Sequence, residues 1–267
     1  GRTPNPCVLC NTHIKWEALL KRADMLKCDY IATGHYAQIR EENGRHIVSK
    51  GIDDNKDQSY VLWGVKQECL KRTLFPMGKY HKSDIKKMAY DRGYKALAEK
   101  NESYEICFIP DNDYRSFLKR RVDGLEERVK GGSFVNTKGE VIGTHEGYPF
   151  YTIGQRRIGV SLGDDPTYVI EINPLQNMIV VGTKEDLQRQ EMFVKSVNYS
   201  KYPEIKDGMI CLVKVRYKHK GELATITNDG DNLKVLFHKK VEGIAPGQSA
   251  AIYEGDDLIA GGFIMKK

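Results

Sequence analysis

Near the front of the chain, Thr3-Pro4-Asn5-Pro6 leads into a Cys-x-x-Cys pair, Cys7 and Cys10. Proline fixes φ and biases the residue before it toward extended backbone, so the pair is expected on a stiff loop at the mouth of a helix. Thiols there face unused N–H groups and the positive end of the helix dipole, which favour thiolate. Such a pair can carry sulfur, exchange electrons or hold a metal; plain packing is the alternative. Cys28, Cys69, Cys107 and Cys211 complete the six cysteines. They lack the density of a secreted disulfide scaffold, so a reducing compartment is expected. With no second Cys-x-x-Cys and no His pair at zinc spacing, a zinc ribbon is not the first choice.

The elements that must position these sulfurs follow in order. Residues 12–27 predict a helix that buries Trp16, Leu19, Leu20, Ala23 and Leu26 and turns Lys15, Lys21 and Arg22 to solvent. Residues 28–33 predict a short strand opened by Cys28, read as a small buried hydrophobe. Gly34-His35-Tyr36 comes next. A helix, a buried strand and a glycine in that cadence predict a parallel α/β sheet, with ligands beyond the carboxyl ends of its strands. His35 is either a ligand contact or a histidine satisfied by its neighbours. Gly44 predicts a turn between two strands, and the polar run 53–59 predicts a loop. Within it Lys56 and Gln58 are either solvated or placed to reach phosphate and base edges. Ser83 is the expected cap of a helix that ends before Gly93. Cys107 sits in a short apolar stretch and reads as a buried strand cysteine. Asp113 to Arg121 predicts a basic helix, phosphate-facing or simply exposed.

From Gly131 glycines recur between short β-branched and aromatic runs, which predicts a small β-rich unit. Its middle, Tyr151-Thr152-Ile153-Gly154-Gln155-Arg156-Arg157, is basic and exposed in character. After about residue 190 the chain reads as all-β. Met209, Cys211, Val213, Val215 and Tyr217 alternate onto one face, which makes Cys211 core, and the many short strands predict a closed barrel. The whole chain has 267 residues, 40% hydrophobic, and a net charge of +6. That is enough for two or three domains, with a modest basic excess suited to a polyanion. No run has transmembrane length and no apolar leader opens the chain, so a cytoplasmic protein without a membrane partner is expected.

Six stretches, in order, resemble the tRNA-specific 2-thiouridylase family: Thr-Pro-Asn-Pro-x-x-x-Cys-Asn at 3–11, Ala-Thr-Gly-His-Tyr at 32–36, Lys-Asp-Gln-Ser-Tyr at 56–60, Ile-Cys-Phe-Ile at 106–109, Tyr-Thr-Ile-Gly-Gln-Arg at 151–156 and Val-Arg-Tyr at 215–217. The resemblance implies a Rossmann-like α/β domain of the adenine nucleotide α-hydrolase type over 1–120, a central β-rich domain over 121–190 and a C-terminal β-barrel over 191–267. It implies that ATP, with magnesium, adenylates the 2-oxygen of the wobble uridine of tRNA. Sulfur carried as a cysteine persulfide then displaces AMP and leaves 2-thiouridine. Cys107 matches the persulfide carrier and Cys10 the nucleophile that attacks or resolves it. Gly34 matches an ATP contact. Asn5, Pro6 and Cys7 match the segment that receives the target base. His35, Lys56, Asp57, Gln58, Arg216, Tyr217 and Gln248 match tRNA contacts. A cysteine desulfurase or a sulfur-relay protein is the implied donor.

Two departures from the family pattern matter. Position 7 is usually aspartate there and is cysteine here. The default expectation is that Cys7 occupies the aspartate place and no metal is held. The alternative is that Cys7, Cys10 and Cys107 ligate a [4Fe-4S] cluster with one open iron. The family's Ser-Gly-Gly-x-Asp-Ser phosphate loop does not occur in these 267 residues. The chain is therefore expected to be a fragment lacking the first βα units of the catalytic domain, unable to adenylate tRNA by itself. Rival readings are a non-catalytic tRNA-binding fragment and a structural metal protein.

Overall fold

The opening helix begins earlier than its sequence predicts. In the computed structural model, which describes residues 1–100, 106–109 and 111–266, it runs from Pro6–Leu9 through a π-helical stretch, Cys10–Ala18, into Leu19–Met25. Pro6 suits the first turn, where its missing N–H would have no partner anyway. Cys7 and Cys10 therefore sit inside the helix, not on a loop before it. The wider π turn also shifts which residues face inward. Val8, Asn11, Trp16, Leu20 and Ala23 are buried, whereas Leu19 and Leu26, expected inside, are exposed.

Four short strands belong to this first unit: β1 (Ile31–Ala32), β2 (Ala37–Glu42), β3 (Arg45–Lys50) and β4 (Thr73–Leu74). β1 and β4 pair in parallel, and β2 and β3 form a hairpin through Asn43-Gly44. Both turn residues are left-handed, at φ 51° and 72°, as a two-residue hairpin of this twist requires. Cys28 is exposed, which corrects the buried reading: the chain turns at left-handed Lys27 before β1 begins. The helix Lys82–Asp91 is capped by the carboxylate of Asp53, which accepts from the Lys82 N–H at 2.9 Å, in place of the expected Ser83.

The middle unit is a four-stranded sheet of β5 (Gly132–Val135), β6 (Val141–His145), β7 (Tyr168–Asn173) and β8 (Met178–Gly182), in the order β6-β5-β8-β7. Phe134, Ile158, Val169, Ile172, Ile179 and Val181 form its core. The third unit holds β9 (Gln188–Tyr199), β10 (Met209–Lys214), β11 (Glu222–Asp229), β12 (Asn232–Glu242), β13 (Ser249–Glu254) and β14 (Asp257–Ile264). Their order, β13-β10-β11-β12-β9-β14 with β13 paired back to β14, closes a six-stranded barrel. Closure leaves these strands no free edge. Cys211 is buried in its core beside Val213 and Val215.

The first unit and the barrel share a core. Ala251, Tyr253 and Leu258 of the barrel pack in the same cluster as Val8, Trp16, Tyr60 and Trp63. Gly261 leaves room for Trp63, since a Cβ there would stand 2.5 Å from the indole. Polar bonds reinforce the seam: Asp257 accepts from Ser49 Oγ at 2.7 Å, Arg40 at 2.6 Å and Lys201 at 2.8 Å. The orientation of the opening helix is thus fixed against barrel residues far away in sequence.

Candidate active site

Cys107 lies on a tight turn. The Ile109 N–H donates to the Ile106 carbonyl at 2.8 Å, which places Cys107 and Phe108 at the exposed corner. The buried-strand expectation is corrected here, while Ile109 next to it is buried. The polar segment 101–105 before it lies outside the described residues. The Cys107 and Cys10 sulfurs lie near enough to Cys7 to raise its pKa by like-charge repulsion, after burial as the larger cause, and Lys15 pulls it the other way. The helix start was expected to favour thiolate; at Cys7 burial and neighbouring sulfur outweigh it. All six cysteines are free thiols, so Cys10 and Cys107 are not bridged.

The segment before the helix is clasped by the barrel. The Thr3 N–H donates to the Pro246 carbonyl at 2.8 Å, and Gln248 Nε2 donates to the carbonyls of Thr3 and Pro4, each at 3.2 Å. Gly247 is left-handed at φ 89°, and a Cβ on it would meet the Thr3 carbonyl at 3.0 Å, so the turn at Pro246-Gly247 admits Thr3 because it has no side chain. Asn5 Nδ2 reaches Ser249 Oγ at 3.5 Å, and Tyr60 OH donates to the Ser249 carbonyl at 2.8 Å. The Tyr217 ring lies 6.1 Å from that of Tyr60, and Arg216 lays its guanidinium against Gly243.

Gly34 lies just past β1, exposed, with open space where a side chain would be. His35 is buried between Trp16 and Phe75, with ring centroids 5.4 Å and 6.2 Å away. Burial, and Lys15 after it, lowers its pKa to about 4, so the ring is neutral. Lys15 Nζ donates to Nε2 at 3.4 Å, which leaves the proton on Nδ1 for Thr33 Oγ1 at 2.9 Å. Of the two readings of His35, the locally satisfied one describes this geometry. Gln58 clasps the adjoining residue: its Oε1 accepts from the Tyr36 N–H at 3.0 Å and its own N–H donates to the Tyr36 carbonyl at 2.8 Å. The Asp57 carboxylate points inward and accepts from Gly51 N, Ser59 N and Ser59 Oγ at 3.2, 3.0 and 2.9 Å. Lys56, partly buried, stands next to it at the turn where its N–H meets the Asp53 carbonyl at 2.9 Å. Asp57 and Gln58 therefore shape the loop that carries Lys56, and their side chains are spent within the protein.

Family models match the chain in three pieces: a "tRNA methyl transferase HUP domain" over residues 1–111, a "tRNA methyl transferase PRC-barrel domain" over 115–183 and an "Aminomethyltransferase beta-barrel domain" over 189–264. The chain is 61% identical over 266 residues to the tRNA-specific 2-thiouridylase MnmA of Amoebophilus asiaticus, covering 99% of this chain and 70% of that protein. It belongs to the tRNA-specific 2-thiouridylase family. Members from Cytophaga hutchinsonii and Salinibacter ruber match at 58% and 53%, over 72% and 70% of their length. The Rossmann-like unit, central sheet and closed barrel agree with the fold expected of a 2-thiouridylase.

Among the described residues no three His, Cys, Asp or Glu side chains are gathered closely enough to hold a metal ion, although Cys7, Cys10 and Cys107 are neighbours. Sequence reasoning also passed over Lys15. It is exposed, as its spacing predicts, and it also stands beside Cys7 and donates to His35. The only sequence signal for it is its place five residues after Cys10, about one turn along a π-helix. Asn11, buried with its Nδ2 on the Val61 carbonyl at 2.9 Å, ties the helix to the Lys56 loop's continuation.

Proposed function

We propose that this protein transfers sulfur to the 2-position of the wobble uridine of tRNA. The observation that carries the reading is that Cys107, on a distant turn, lies near enough to Cys7 of the opening helix's Cys-x-x-Cys for its charge to act there. ATP, with magnesium, supplies the adenylyl group that turns the uridine 2-oxygen into a leaving group. Gly34, past the end of β1, gives the open backbone at which a nucleotide fits in an α/β sheet. Asn5, Pro6 and Cys7 form the wall that receives the base, held in place by Gln248 and Ser249. Tyr217, Arg216, Lys56 and the loop of Asp57 and Gln58 lie toward the tRNA, with His35 acting through Lys15.

Cys107 takes a terminal sulfur as a persulfide from a cysteine desulfurase or a sulfur-relay protein. In one order, that sulfur attacks C2, the C2–O bond breaks and AMP leaves with the electron pair; the Cys10 thiolate then attacks Cys107 Sγ and frees the 2-thiouridine. In the other, Cys10 attacks the persulfide first and releases hydrosulfide, which attacks C2. Either order leaves a Cys10–Cys107 disulfide that a dithiol must reduce. Cys7, its pKa raised, stays neutral beside two sulfurs that must react. Splitting the transfer between two thiols replaces one difficult displacement by two easier ones.

The test is to incubate the intact protein, meaning these residues together with the family's phosphate-loop segment, with unmodified tRNA, ATP and a persulfide donor, then measure 2-thiouridine by mass spectrometry. Product that falls to background in Cys10→Ser and Cys107→Ser is expected. No product from the intact protein, or undiminished product from Cys107→Ser, contradicts the reading.

A further inference from the structure

The basic helix and the basic loop of the middle unit meet on one cleft that shares no residue with the thiol site. It is open, about 410 Å³, and is lined by Arg115, Arg157, Tyr151, His145 and Glu146 among others. Arg115 is held in place by three contacts: NH2 donates to the Phe150 carbonyl at 3.3 Å, and its guanidinium lies 5.4 Å from the Tyr151 ring centre and 6.0 Å from that of Phe150. Tyr151 is fixed from its other sides by Phe134 and His145, at 5.3 and 5.5 Å between ring centres. Arg157 reaches the cleft from left-handed backbone, φ 56°, between left-handed Gly154 and Gly159. A non-glycine residue keeps that conformation only where its surroundings impose it. Here the next residue, Ile158, is buried in the core of the middle unit, and the Gly154 N–H and Gln155 carbonyl are bonded to Val169 at 2.8 and 3.0 Å. The loop is thus pinned with Arg157 outward.

We propose that this cleft binds a nucleotide of the RNA substrate, its phosphate on Arg115 and Arg157 and its base or ribose against Tyr151. Two guanidinia converging from separate elements suit a phosphate, and an adjoining aromatic face suits a base. Glu146, 3.8 Å from Arg115 and largely exposed, can accept from a ribose 2′-hydroxyl, a group that distinguishes RNA from DNA. A cleft of this volume holds one nucleotide. The proposal rests on the tRNA reading above and adds a second point of attachment away from the reacting uridine.

Binding of unmodified tRNA to the intact protein, measured across salt concentrations, tests it. Arg157→Gln is expected to weaken binding about tenfold and to lower the slope of log K against log salt by about one. Arg157→Lys is expected to keep the slope and lose part of the affinity. Arg128→Gln, which removes the same charge from an exposed residue of the same unit outside the cleft, is expected to change little. If the unaltered protein binds tRNA but Arg157→Gln matches it in affinity and slope, the cleft is not a tRNA contact and the sulfur-transfer reading stands. If the unaltered protein does not bind tRNA, both are overturned.

Discussion

Cys211 and Cys7 have the same kind of side chain in opposite settings. Cys211 is 2% exposed in the barrel core, where burial pushes its thiol up to about 11. Its neighbours are Val213, Val215 and Ala224, so the sulfur serves as a small hydrophobe. The Cys7 thiol is also raised, by burial first and then by other sulfur, from Cys107 and Cys10. Burial is the larger cause in both; the two thiols differ in the second cause, which is neighbouring sulfur on the helix and the Glu254 carboxylate in the barrel. What makes a thiol a candidate for chemistry here is the company of a second thiol within reach of substrate.

The largest expected effect separates the two settings. Cys107→Ser in the intact protein should reduce thiolation by roughly 10³-fold or more, as loss of a nucleophile does, and leave unfolding by urea within about 0.5 kcal/mol of the original. A large stability loss would make Cys107 a packing residue like Cys211 and dissolve the contrast.

Next comes the buried base beneath the thiol site. His35 titrates near 6.5 in the unfolded chain and at about 4 in the folded protein, through burial first and Lys15 second. As pH falls below about 6.5 the unfolded state takes up the proton first, so the stability this group contributes is complete above 6.5 and is lost progressively toward pH 4. At about 1.4 kcal/mol per pH unit, the change is at most ~3 kcal/mol. Urea unfolding at pH 7 and pH 5 measures it, and His35→Gln should flatten that acid limb. An unchanged limb would show that the ring is not held neutral by this pocket.

Cys211→Ser should give a smaller effect of the opposite kind, a loss of about 1–3 kcal/mol from placing a hydroxyl in an apolar core. Thiolation per folded molecule should be unchanged. Activity lost beyond the unfolded fraction would mean that the barrel sulfur is not the bystander described above.

Local pattern made part of this legible. Alternation along β10 placed Cys211 and Val213 inside, and Gly44 announced the turn between β2 and β3. Each is decided by residues close in sequence. Position of the thiols was not decided so. The π stretch after Cys10 rotates the helix face, which no apolar spacing announced at Leu19 or Leu26. Asp57 faces inward because Ser59, which it accepts from, is bonded at 3.0 Å to Tyr253 of the barrel, a partner from the far end of the chain. Lys15 is exposed, as its spacing predicts, but its contacts with His35 and Cys7 come together only on folding. For the same reason Arg115 and Arg157 read as two unrelated basic runs. Motif order identified the family, and tertiary contact fixes where several motif side chains are held.

The most direct measurement is a single turnover without reductant. The intact protein, loaded with persulfide at Cys107, is mixed with ATP and unmodified tRNA, quenched, and its cysteine peptides and 2-thiouridine are counted together. One Cys10–Cys107 disulfide for each 2-thiouridine is predicted. Product formed while both cysteines remain free thiols, or a bridge from Cys107 to Cys7 instead, would contradict the account.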